Sequence, residues 1–414
     1  MPDVHVEKGS TTRLDNVDGE LRVGSGAKIS AIGKSVTVAR GAYFEGNAAI
    51  GCDFECDSLK VERGKLTVSG DLTVHKGLDV AHTVEASGTI SAHDIDVGGK
   101  MIAKSISCGG SVRVGGLVDV EETLEAESVE VGGKVSVSGA VKLTNLGVGG
   151  KADVGGGSIK GQTRVGGIFS SSGKLEFGEL QVYGKCTLSA GSDGKKLSTF
   201  GKLSAEGDLA CEQVDVGGLT EVRGNLSSSE VLVNGKLEVS GSLSVKGMLD
   251  VNGSCEVGGE LKGADLRLGG RLRASKAVLS NQADMAGEVE TRKGLKAKSV
   301  IIRTGTRCRG ALVGDRVELG KSGLVVANLG ARWAGQSIAM RGIGRMTDAE
   351  DIYGADIVLG SNSRCGRVIG EKVEMGDGCT VDQVTYTQEL HRSGSRQFLT
   401  HPSVKVANLP PFPL

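Results

Sequence analysis

Val129-Glu130-Val131-Gly132-Gly133-Lys134-Val135-Ser136-Val137-Ser138-Gly139 holds the pattern that decides the fold. Two apolar residues flank a polar one, a glycine pair follows, and the alternation starts again. In an extended chain successive side chains point to opposite faces, so Val129 and Val131 share one side and Glu130 takes the other. The apolar residue before the glycine corner recurs as Val80, Val97, Val114, Val131, Val148, Val165, Val182, Thr199, Val216, Val233, Val251, Leu268, Met285, Ile302 and Leu319. Thirteen of these fourteen intervals are 17 residues and one is 18. Two positions on lies an unbroken glycine column from Gly99 to Gly287, and two positions before lies a second apolar column from Ile95 to Val317. A fixed period of this size marks one structural unit stacked on the next.

Seventeen residues are too few for a helix pair or a propeller blade, and they suit three short strands with three tight corners. The sequence therefore predicts an all-β parallel β-helix, about 17 residues per coil and three short strands per coil, with Val, Leu and Ile ladders inside and Ser, Thr, Lys, Glu and Asp outside. Glycine at the corners is expected because the chain there turns through φ > 0. All five prolines lie at position 2 or from 402 onward, as a ladder paired on both sides requires of its amide donors.

The expected organisation is a short flexible leader over 1–20 and a single rod over 21–384, closed by a tail or cap over 385–414. Within the rod, 21–62 reads as irregular first coils and 63–327 as regular ones. The stretch 328–356, with Trp333, Met340 and Met346, reads as an interrupting loop, and 357–384 as the last coils. The tail is read as either disordered or laid across the last coil.

Aromatic residues are 3% of the chain, so the core is narrow and aliphatic. The net charge of −1 is unevenly spread: residues 262–345 carry 17 basic and 6 acidic side chains, a local excess of +11. The basic stretch, with Arg271, Arg273, Arg292, Lys293, Lys296, Lys298, Arg303, Arg307 and Arg309, is either a solvated face or a docking face for structural proteins with acidic surfaces. Nucleic acid is the weakest partner, because no aromatic residues interleave with the basic ones. Residues 1–20 are polar and no run of about 18 apolar residues exists, so neither a signal peptide nor a transmembrane segment is expected. Nine scattered cysteines point to a reducing, cytoplasmic interior, with Cys186 and Cys255 as buried free thiols in an inward column.

No motif carries chemistry. His75, His82 and His93 fall on different corners, and Cys52 and Cys56 lack a second pair at metal spacing. Gly24-Ser25-Gly26-Ala27-Lys28 has no helix after it to aim amides at a phosphate. No catalytic residue, metal, cofactor or small-molecule substrate is expected. An enzyme on this scaffold, of carbohydrate- or acyl-transfer type, would have to use 328–356 as the lip of a cleft. Left-handed hexapeptide helices, the competing fold, repeat in sixes, and 17 does not divide so.

The V-x-V-G-G units, such as Ile95-Asp96-Val97-Gly98-Gly99, resemble those of the bactofilins over roughly 21–384. The chain is several times longer than the usual core of that family and shows no evident N-terminal membrane-targeting segment. The resemblance implies a right-handed β-helix and a cytoskeletal protein that polymerises into filaments without nucleotide, by end-to-end stacking. Independently of the resemblance, a solenoid's last turn leaves unpaired donors and acceptors that invite another edge. On this reading Leu21, Val23 and Ile29 at one end, and Val373, Met375, Val381 and Val384 at the other, carry self-association. The alternative is a scaffold that does not polymerise and docks through the basic stretch onto another filament.

Overall fold

A computed structural model of the chain describes residues 3–321 and 346–411. The described residues form 44 strands and no helix, and the strand pairs are parallel, stacked as a β-solenoid of about 22 turns at a spacing near 17 residues. Contacts divide it into two units, 1–196 with 201–203, and 197–200 with 204–414. The sequence reads one uninterrupted rod there. The division falls where the repeat is least regular, with Thr199 in the valine column and Tyr183 and Phe200 in place of the first corner glycine.

In the first unit the strands Leu124–Val131, Lys134–Val137 and Val141–Val148 show how a turn is built. Val129 pairs with Leu146 and Val131 with Val148 on a first face. Val135 pairs with Ala152 and Val137 with Val154 on a second. Leu124 pairs with Val141 and Ala126 with Leu143 on a third. These inward residues are all buried. Alternation alone sorts the faces, because a one-residue slip would turn every valine outward.

The corner glycines have a different cause from the one expected. Of the column from Gly99 to Gly287, only Gly287 has positive φ. What forbids a side chain is the turn below: a Cβ on Gly133 would lie under 3.0 Å from the Gly116 carbonyl oxygen and 3.0 Å from its carbon. The first glycine of the pair is freer, with a Cβ on Gly132 meeting nothing nearer than the Gly115 oxygen at 3.4 Å. Accordingly the first position admits Ala81, Tyr183, Asn234, Asn252 and Ala286.

The ends also differ from expectation. Val4–Val6 pairs with Leu21–Val23, Thr11–Leu14 with Lys28 through Ala31, and Asn16–Val17 with Thr37 and Val38, so the expected leader is a turn of the solenoid. Val6 and Val17 are buried in it. In the second unit Thr347–Ala349 and Ile352–Leu359 are regular rungs. The expected loop over 328–356 therefore ends earlier than predicted, and the rest of it, with Trp333 and Met340, lies outside the described residues.

The tail is ordered. Val404 and Lys405 pair with Thr385 and Tyr386 as a last rung on the third face, and Leu409 packs on Val313, Tyr353 and Ile369. Those three occupy the outward column of that face, as their pairing with the neighbours of inward Leu312, Ile352 and Val368 requires, yet all are buried.

Candidate functional site

The residues expected to carry self-association lie one turn inside the ends. Leu21 sits between Val4 and Ala42, Val23 between Val6 and Phe44, and Ile29 between Thr12 and Ile50. At the other end Val373 sits between Ile357 and Leu390, Met375 between Leu359 and Arg392, and Val381 between Cys365 and Leu399. Val384 pairs with Val368 and adjoins Thr385, on which Val404 is stacked. All seven are fully buried core. The terminal layers are instead residues 4–17 and 388–405. Their sequences hide them because an outermost turn is half solvated and keeps few apolar residues.

Among the described residues, Val4–Val6, Thr11–Leu14 and Asn16–Val17 each pair with one later turn only, and Phe398–Leu399 and Val404–Lys405 each pair only with Thr380–Arg392. Each layer therefore offers a free row of backbone donors and acceptors. The C-terminal layer adds apolar surface: Phe398 is 66% exposed and Val404 43%. No sequence periodicity marks either residue.

The basic stretch does not form one basic surface. Arg303 is tied to Asp284, Nε to Oδ1 at 2.7 Å, in a partly buried pair that raises the guanidinium pKa. On the second face, rung pairing places charged residues of successive turns in contact. Arg271 pairs with Glu288, Glu288 with Arg307, Arg307 with Asp348, and Asp348 with Arg364. In the adjacent outward column Glu256 pairs with Arg273, Arg273 with Glu290, and Glu290 with Arg309. Glu350 follows, accepting the Gly310 amide at 2.9 Å. Six consecutive turns thus alternate in sign, and both charged positions of a turn share that sign wherever two exist. The ten charges cancel: Arg271, Arg273, Arg307, Arg309 and Arg364 against Glu256, Glu288, Glu290, Asp348 and Glu350.

Side-chain pairs close part of this ladder, with Arg271 to Glu288 at 2.7 Å and Arg273 to Glu290 at 3.0 Å. Arg307, Arg309, Asp348 and Arg364 form no side-chain ion pair among the described residues. Arg292, Lys293, Lys296 and Lys298 are exposed within one turn, between Thr291 and Ser299.

Nothing gathers the remaining candidates into a reaction site. His75 Nε2 meets Glu55 at 2.9 Å, and His93 lies 4.0 Å from Asp94, both at exposed corners. Cys56 points into the core, and burial pushes its thiol up to about 12. Cys186 and Cys255 are likewise buried free thiols in the second-face column, opposite Phe169 and Leu237. After Gly26 the chain runs into the strand Ala27–Ala31. Among the described residues no group of three His, Cys, Asp or Glu stands ready for a metal, and no helix is long and apolar enough to cross a membrane. The concave surfaces are shallow open grooves, one of about 240 Å³ by Ser136, Asp153 and Ser170 and one of about 370 Å³ by Glu238, Glu256 and Arg273. No protein-family model, curated protein or solved structure matches the chain.

Proposed function

We propose that this chain is a structural, non-enzymatic scaffold subunit of bactofilin-like kind, which assembles end to end without nucleotide in the cytoplasm. The observation that carries the reading is the pair of terminal layers, each with strands bonded on one side only, one of them with Phe398 standing 66% exposed. A solenoid edge joined to another edge continues the hydrogen-bond ladder and removes that apolar surface from water. Phe398→Asp places a charge on the C-terminal layer without touching the buried columns. Negative-stain microscopy of the wild type should show polymers and of the variant short particles. Polymers unchanged by the substitution would refute the end-to-end mechanism.

A second reading, docking on an acidic lattice, is favoured by the exposed cluster Arg292, Lys293, Lys296 and Lys298. Salt-sensitive co-sedimentation with an acidic filament, lost when these four become glutamine, tests it.

A further inference from the structure

We propose that the charge-banded second face of the second unit is a pairing surface for a second copy of this chain, laid antiparallel across a two-fold axis. The proposal adds a lateral contact to the scaffold reading, and it does not depend on the ends. Its basis is the order of the bands. From Glu256 to Arg364 they run minus, plus, minus, plus, minus, plus, one per turn. An even number of alternating bands changes sign on reversal about its centre. A two-fold axis between the Glu288/Glu290 turn and the Arg307/Arg309 turn therefore sets each band against its opposite. Glu288 and Glu290 face Arg307 and Arg309 of the other copy, Arg271 and Arg273 face Asp348 and Glu350, and Glu256 faces Arg364. Each doubly charged band carries one sign across both columns, so the match survives either side-to-side arrangement of the columns. A parallel in-register pair would set like against like, which electrostatic complementarity disfavours.

The spacing suits this partner above others. Both copies repeat at the same strand separation of about 4.8 Å, so a match at one band is a match at all. An acidic filament or a nucleic acid would meet three repulsive bands for every three attractive ones. The intramolecular ladder does not use the charges up, since Arg307, Arg309, Asp348 and Arg364 lack side-chain ion pairs among the described residues. Isolated exposed pairs contribute little, but a periodic set of ten acts together and fixes register.

The test is sedimentation velocity on the full chain carrying Phe398→Asp, so that end contacts do not contribute. At low salt a dimer is expected, and in about 0.5 M salt its association should weaken by roughly tenfold or more. Glu288→Arg with Glu290→Arg, and separately Arg307→Glu with Arg309→Glu, should each abolish the dimer. An equimolar mixture of the two should restore it, because the altered bands then face each other. Circular dichroism checks that each variant folds. Should one not fold, the same swap is made with Arg271→Glu/Arg273→Glu and Asp348→Arg/Glu350→Arg. A monomer at low salt, or a mixture that stays monomeric, overturns the proposal. Absence of polymers from the wild type with the dimer intact would instead count against the end-to-end mechanism alone.

Discussion

Adding one methyl group at Gly133 should damage the solenoid more than adding it at the adjacent Gly132. Each corner carbonyl accepts an amide from the next turn: Lys134 N–H donates to Gly116 at 2.8 Å and Lys151 N–H to Gly133 at 2.9 Å. A Cβ at Gly133 would press on the Gly116 oxygen from inside 3.0 Å. The neighbour is backbone, so relief requires the two turns to part locally. One lost hydrogen bond costs about 0.5–1.5 kcal/mol, and forcing a packed backbone apart adds about 1–3 kcal/mol. The expected destabilisation of Gly133→Ala is therefore about 2–4 kcal/mol. Gly115→Ala, whose Cβ would lie 2.7 Å from the Gly98 oxygen, should fall in between. Gly132→Ala, at 3.4 Å, should be neutral or stabilising by up to about 1 kcal/mol through the unfolded chain. A solenoid opens locally, so hydrogen exchange is the sharper assay. Protection of the Lys134 and Lys151 amides should drop roughly 30- to 700-fold in Gly133→Ala, with the midpoint of denaturant unfolding following the same order across the three variants. Equal protection and equal midpoints in Gly133→Ala and Gly132→Ala would refute the stacking account of the glycine column.

Two further outcomes follow from single residues. Asp250 is 7% exposed with an unpartnered buried Oδ1, and Arg267 stands 3.7 Å away. Burial raises its pKa more than Arg267 lowers it. A carboxyl whose folded pKa lies above its unfolded value of about 4 weakens the fold at neutral pH, and the penalty fades as pH falls through the folded value. Asp250→Asn should thus stabilise the second unit at pH 7 by about 1 kcal/mol, less as the pH drops, and denaturation midpoints across pH 4–8 check it. Leu409→Ala removes the side chain that packs on Val313, Tyr353 and Ile369. Limited proteolysis should then cut within 393–411 several-fold faster, while the solenoid's denaturation midpoint moves by no more than about 1 kcal/mol.

The proposed end and lateral contacts differ in how far a sequence shows them. The inward ladders were legible because burial on every turn repeats one chemical demand every 17 positions, and Val129, Val131, Val135 and Val137 answer it visibly. The half-solvated layers at 4–17 and 388–405 are under no such demand. Val4, Phe398 and Val404 therefore carry no period, and the burial of Leu21 and Val384 could be seen only with those layers in place.

Sequence by itself determined that this chain is a stack of parallel, aliphatic-cored turns with a glycine corner that cannot vary, since alternation and period are properties of the chain. Why the corner must be glycine was decided in three dimensions, by a carbonyl 17 residues away rather than by the backbone angle at the corner. The charge pattern was decided there too. A run of 262–345 with an excess of +11 becomes a neutral, banded face once Arg307 lies beside Asp348, because electrostatic interaction depends on distance through space and the winding brings distant residues to one strand spacing.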